Sequence, residues 1–264
     1  MNPRGGLFRE ALALLRPIHV LAQIALAVVV FLLSILWLRL SDANALWLIA
    51  TIVLGLVILL TAGAGEAALL LSLARQPRTR ARLLRGALIV LALIALWFGW
   101  TALLSHHGDD SLRAGYINSK TPHLLRYIFT YEHLVLFQRW FWDAIAWIGT
   151  GILAALLLPL IPDANPLRAT SCALRSLSFW ITLIAGALLA SFLTGVLLQW
   201  TPGLGLSIET ASLIFRLALT ALIDASVACL FLAILAACVR RANAQAATPA
   251  GTPDLSHPRT VPNP

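Results

Sequence analysis

Four charged side chains fall inside long apolar runs of this sequence: Glu66, Asp143, Arg216 and Asp224. A charge at the centre of a bilayer costs about 3 kcal/mol or more, so these residues are candidates for an intramembrane polar site. Glu66 stands towards the end of its run, where it is expected to meet arginines of the following connection. Asp143 and Arg216 have matching depth and opposite sign, which predicts an ion pair joining the fourth and sixth helices. Asp224 lies near the middle of the sixth run with no basic residue expected at its depth. It should hydrogen-bond to another helix or line a small wet cavity.

A second group of reactive types lies in one polar segment: His106, His107, Asp109, Asp110, His123, Glu132 and His133. A zinc site needs three or four converging ligands, usually announced by a spaced pair such as H-E-x-x-H. That spacing is absent, so no metal is expected, and His106, His107, His123 and His133 are the residues a metal would have to use. No G-x-S-x-G elbow or phosphate loop is present, and no catalytic residue or cofactor is assigned. Gly63-Ala64-Gly65-Glu66-Ala67-Ala68 has the G-x-G-x-x-A form of a dinucleotide fingerprint, but it sits inside an apolar run instead of between a strand and a helix. Close helix packing explains its small residues better. Gly186, Ala190 and Thr194, and likewise Ala221, Ala225 and Cys229, are expected to mark similar contacts. Cys172, Cys229 and Cys238 are odd in number and lack C-x-x-C spacing, so they are expected to be small buried thiols.

Composition decides what carries these residues. Of the 264 residues, 60 % are hydrophobic and 11 % charged, with a mean hydropathy of +0.88. Soluble domains average about 45–50 % apolar and about 25 % charged residues, so a soluble globule is excluded. The net charge of +8 comes from arginines clustered between apolar runs, which is an orientation signal and argues against a nucleic-acid partner. The partners expected are the lipid bilayer, and either another membrane protein or a second copy of the chain.

Six runs are long enough to cross the hydrocarbon, near 18–40, 45–73, 86–105, 141–161, 176–200 and 211–239. The fold class expected is an all-α integral membrane protein: a six-transmembrane-helix bundle forming one domain over 1–241, with an outer loop at 106–140. The first run resembles a secretory signal but is too long for one, and reads as an uncleaved helix. Pro17 opens it, and Ser41-Asp42-Ala43-Asn44 makes a tight turn after it. Arginines favour the N-terminal arm, the 75–85 connection, the 168–175 connection and the start of the tail. With six crossings these share one side, so both termini are expected in the cytoplasm of a multi-pass protein of the bacterial inner (cytoplasmic) membrane. Eight of the nine tryptophans fall near the opposite ends of their helices, which agrees.

Arg9/Arg16, Arg78/Arg85 and Arg168/Arg175 are each seven apart, directly before the outward runs. Each pair fits the polar face of a short interfacial helix, with Asn165-Pro166 as cap and first position of the third. The pattern reflects either a threefold repeat of two-helix units or the general abundance of arginine in such connections. Residues 122–141 are amphipathic and predict an outer helix in the headgroup layer or an early start to the fourth span. The tail, 242–264, is rich in Ala, Thr and Pro and is expected to be disordered.

These features predict a structural or accessory membrane subunit. The alternatives are a transporter or permease component using Asp224 as a midplane polar site, and a membrane enzyme acting at the outer loop.

Overall fold

The computed structural model describes residues 6–40, 44–105, 110–123, 125–189, 196–197 and 206–247. Every regular element among them is helical: α1 (Leu7–Leu14), α2 (Pro17–Leu38), α3 (Ala45–Leu73), α4 (Arg80–Ser105), α5 (Asp110–Lys120), α6 (Tyr131–Leu157), α7 (Pro166–Leu174), α8 (Leu177–Leu188) and α9 (Leu206–Ala247). A 3-10 turn, Leu158–Leu160, prolongs α6. Five helices are long and apolar enough to cross a membrane: α2, α3, α4, α6 and α9. The pair α7–α8, bent by 75°, makes a sixth if it counts as one broken span. This is the architecture of a multi-pass membrane protein, because such helices satisfy their own backbone in lipid.

Local chemistry sets the helix ends. Pro17 takes the first turn of α2, where a missing N–H costs nothing. Asn44 accepts from the Trp47 N–H at 3.0 Å and caps α3, and Asn165 accepts from the Arg168 N–H at 3.3 Å and caps α7. Thr130 caps α6 through the His133 N–H at 3.3 Å. α3 ends in a Schellman motif: the Gln76 N–H bonds Leu71 O at 2.8 Å and the Arg75 N–H bonds Ser72 O at 3.0 Å. Its left-handed position is held by Arg75, at φ 57°, where glycine is usual. Asp163 takes the same φ where the chain leaves the turn after α6.

Several expectations are corrected. Residues 125–128 form a turn, and the helix in the outer segment is α5, which packs against α6 and buries Ala114. The amphipathic stretch that follows is the first turns of α6, the early start to the fourth span that was the second of the two expectations for it, because Thr130 supplies the cap. α9 runs past the expected limits, from Leu206 to Ala247, so 242–247 belong to a helix and not to a disordered tail. They are ordered by contact: Ala242 is buried, and Arg241 binds Glu10 of α1 at 2.8 Å. Short helices precede α2 and α8, as the arginine spacing suggested, whereas Arg80 to Arg85 is already part of α4. Residues 41–43, 190–195, 198–205 and 248–264, including Ala190, Thr194 and most of the expected tail, lie outside the described residues.

The core sits at one end of the bundle, the end shared by α1 and the last turns of α9. There Leu7, Ala11 and Leu14 of α1 join Leu70 and Leu73 of α3, Ala155, Leu158 and Ile161 at the α6 terminus, Ala169 and Ala173 of α7, and Leu232–Val239 of α9. Small residues draw the helices together. A Cβ on Gly63 would stand 2.9 Å from the Ala87 carbonyl oxygen of α4, while one on Gly65 would press on the Leu26 side chain of α2. One on Gly186 would meet Val227 of α9 at 2.7 Å. The small-residue segment of α3 is thus a two-sided packing surface and not a nucleotide loop. Towards the other end, where α5 lies, the helices bury little: among the described residues, Ala114, Leu134 and Arg216.

Candidate functional site

Four polar residues of α2 and α3 form a short track within the spans. Gln23 is the one buried residue of α2, and its Nε2 donates to Glu66 Oε1 of α3 at 2.5 Å. One turn towards the termini, the His19 ring lies 3.3 Å from Ser72 Oγ, and its Nδ1 accepts from the Arg16 N–H at 3.1 Å. Positions 19 and 23 are one helical turn apart, so one face of α2 presents both groups. Cys229 of α9 closes the track, its thiol donating to His19 O at 3.5 Å. Glu66 therefore meets a carboxamide and not the arginines expected of the next connection. Gln23 Oε1 is buried without a hydrogen bond, so the track is incompletely satisfied.

The arginines of that connection find an acid elsewhere. Arg82 of α4 pairs with Asp163 at 3.0 Å, and Arg85 binds the other carboxylate oxygen of Asp163. Arg85 also donates to Leu160 O at 2.5 Å and Ile161 O at 3.2 Å. A cation on the last carbonyls of a helix complements its dipole, so this contact ties the start of α4 to the end of α6. Arg85, then burial, then Arg82 act on the Asp163 carboxyl, and the net effect holds it below the usual carboxylate range.

The other sequence candidates do not converge. Arg216 is buried, and its guanidinium donates to Ser212 O and Leu197 O, each at 3.2 Å. Asp143 is exposed on α6 and has no ion pair or hydrogen bond among the described residues. α6 packs against α4, α5, α7 and α8, while α9 packs against α1, α2, α3, α7 and α8, so backbone carbonyls occupy the place expected for Asp143. Asp224 is exposed on α9 beside the buried Ala225 and makes no hydrogen bond among the described residues. It neither bonds to a neighbouring helix nor faces the bundle interior.

His123 and His133 are exposed, the latter with Nδ1 3.0 Å from Ile128 O, and His106 and His107 lie outside the described residues. No three metal-ligating side chains cluster among the described residues. Cys229 and Cys238 are buried as expected, and Cys172 is half-buried.

Among the described residues, four further polar atoms are buried without a hydrogen-bond partner: Trp100 Nε1, Gln138 Oε1, Ser212 Oγ and Thr220 Oγ1. All belong to the end of the bundle where little is buried. Comparison with protein families, with curated proteins and with solved structures finds no match for this chain.

Proposed function

We propose that this chain is an accessory subunit of the bacterial cytoplasmic membrane, with six spans and both termini in the cytoplasm, that packs against another membrane protein or a second copy of itself. The observation that carries the proposal is Asp224, a carboxylate on the outward surface of a spanning helix. Arg216 and Arg240 lie about 36 Å apart along α9 at 1.5 Å per residue, slightly more than a hydrocarbon core of about 30 Å. Asp224 falls between them, about 12 Å from Arg216. A carboxylate facing lipid at that depth costs about 3 kcal/mol, which a donor on a neighbouring subunit removes. For topology, the support is the arginine distribution and the Glu10–Arg241 contact, which brings the two ends of the chain together.

Gentle purification tests this. The wild-type chain is expected to co-elute with a stoichiometric second polypeptide or as an oligomer of its 28.5 kDa unit. Asp224→Leu is expected to elute as a folded monomer. A wild-type monomer in mild detergent and in native nanodiscs contradicts the proposal.

A second reading, a transporter or permease component, draws on the Gln23–Glu66 and His19–Ser72 track, which places ionisable groups inside the spans. Glu66→Gln keeps the shape and a hydrogen bond to Gln23 but cannot ionise. Unchanged thermal unfolding with a lost cellular phenotype favours transport. Unchanged unfolding and phenotype leave Glu66 as a structural bond.

A further inference from the structure

A cavity of about 800 Å³ opens at the end of the bundle where α1, α7, α8 and α9 meet. Arg168, Arg175 and Arg241 line it, with Asn165, Ser171 and Ser176 between them, and no Asp or Glu among the described residues is in its wall. Arg241 is held by Glu10 at 2.8 Å. Arg168 and Arg175 are exposed, and their side chains make no hydrogen bond or ion pair among the described residues. The cavity therefore carries two uncompensated guanidinium groups.

The bundle does satisfy arginines at this end where it can, as Arg82 and Arg85 show on Asp163. Arg168 and Arg175 instead stand two helical turns apart beside hydroxyls and the start of α8, whose cap residue Ser176 makes no side-chain bond to the helix. Guanidinium forks, hydroxyl donors and the first N–H groups of a helix together suit the oxygens of a phosphate group. A phosphomonoester carries a charge of about −1.5 to −2, which two free guanidinium groups balance. Leu167 and Leu177, at 72 % and 73 % exposure, place apolar surface beside the polar wall.

We propose that this cavity is a binding site for a phosphate group, carried by a phospholipid headgroup or by a soluble phosphorylated compound. The proposal is independent of what covers Asp224.

Two measurements on the full chain test it. In phosphatidylcholine nanodiscs, inorganic phosphate is titrated by calorimetry. From mixed phosphatidylcholine and phosphatidylglycerol, retained lipid is read by native mass spectrometry. Retention of phosphatidylglycerol without a response to inorganic phosphate assigns the headgroup. Saturable phosphate binding without lipid preference assigns a soluble ligand, and both together mean that the site accepts either. Each result supports the site only if Arg168→Gln/Arg175→Gln weakens binding about tenfold or more while Arg113→Gln, on α5 at the other end, leaves it unchanged. Should the double variant fail to fold, Arg175→Lys, which keeps the charge and removes the fork, is expected to weaken binding several-fold. No binding of either probe, or wild-type binding in the folded variants, overturns the proposal.

Discussion

Arg216 and Asp224 stand eight residues apart on α9 and meet opposite surroundings: the guanidinium is buried on backbone carbonyls, and the carboxylate is exposed. Eight residues at 100° each turn the helix by about 80° beyond two full turns, enough to carry one side chain into the bundle and the other out of it. The long arginine stem reaches backbone oxygen on its own helix, at Ser212, and at Leu197. Asp224 is too short to reach either membrane surface, and under the proposed function a neighbouring subunit supplies its donor.

A close approach of the α3 and α4 backbones gives the first prediction. Gly63→Ala places a methyl 2.9 Å from the Ala87 carbonyl oxygen and 3.0 Å from its Cα, where only a backbone shift of α4 relieves the clash. Gly65→Ala meets the side-chain end of Leu26, which has other rotamers. The first substitution is expected to cost about 1–3 kcal/mol and the second clearly less, measured by thermal unfolding in detergent. Equal costs would show that α3 and α4 are not packed through Gly63.

Arg75 occupies the left-handed position that closes α3. Arg75→Gly removes the steric cost of a Cβ there, and is expected to stabilise the protein by about 1 kcal/mol. The same unfolding assay checks it. A destabilised variant would mean that the arginine side chain contributes more than its backbone strain costs.

Asp163 gives the pH dependence. Its carboxyl is held below the ordinary range by Arg85 and Arg82, so its contribution is complete above that range and is lost as pH falls through the lowered value. Because all three side chains are partly exposed, the contribution is modest, about 1 kcal/mol. Asp163→Asn is expected to unfold at a lower temperature than wild type at about pH 6, with the difference closing as pH falls towards about 2. A difference that persists in strong acid would assign the effect to the left-handed backbone at Asp163.

The long apolar runs, the opening of α2 by Pro17 and of α7 by Asn165-Pro166, and the packing role of the glycines near Glu66 were legible in the sequence, because each rests on local periodicity or cap chemistry. The partners of the charged residues were not. Depth along a helix follows from counting residues, but the rotation that sets Asp143 on the bundle surface and Arg216 beside residue 197 depends on how α6, α8 and α9 pack. The Gln23–Glu66 bond joins residues 43 apart, and only the antiparallel register of α2 and α3 brings them level. Asp163 reads as an ordinary loop acid until α4 and the end of α6 are placed together. α5 was missed because its sequence is polar, with too little apolar periodicity to announce a helix.

The measurement that bears most directly on the central claim is site-specific photo-crosslinking in cells. A photoreactive residue at Leu222, exposed on α9 beside Asp224, is expected to give a discrete protein adduct that Asp224→Leu abolishes. The same residue at Val28, exposed on α2, is the lipid-facing control and is expected to give none. Lipid adducts alone at both positions would contradict an α9 interface and leave Asp224 without the partner that this account requires.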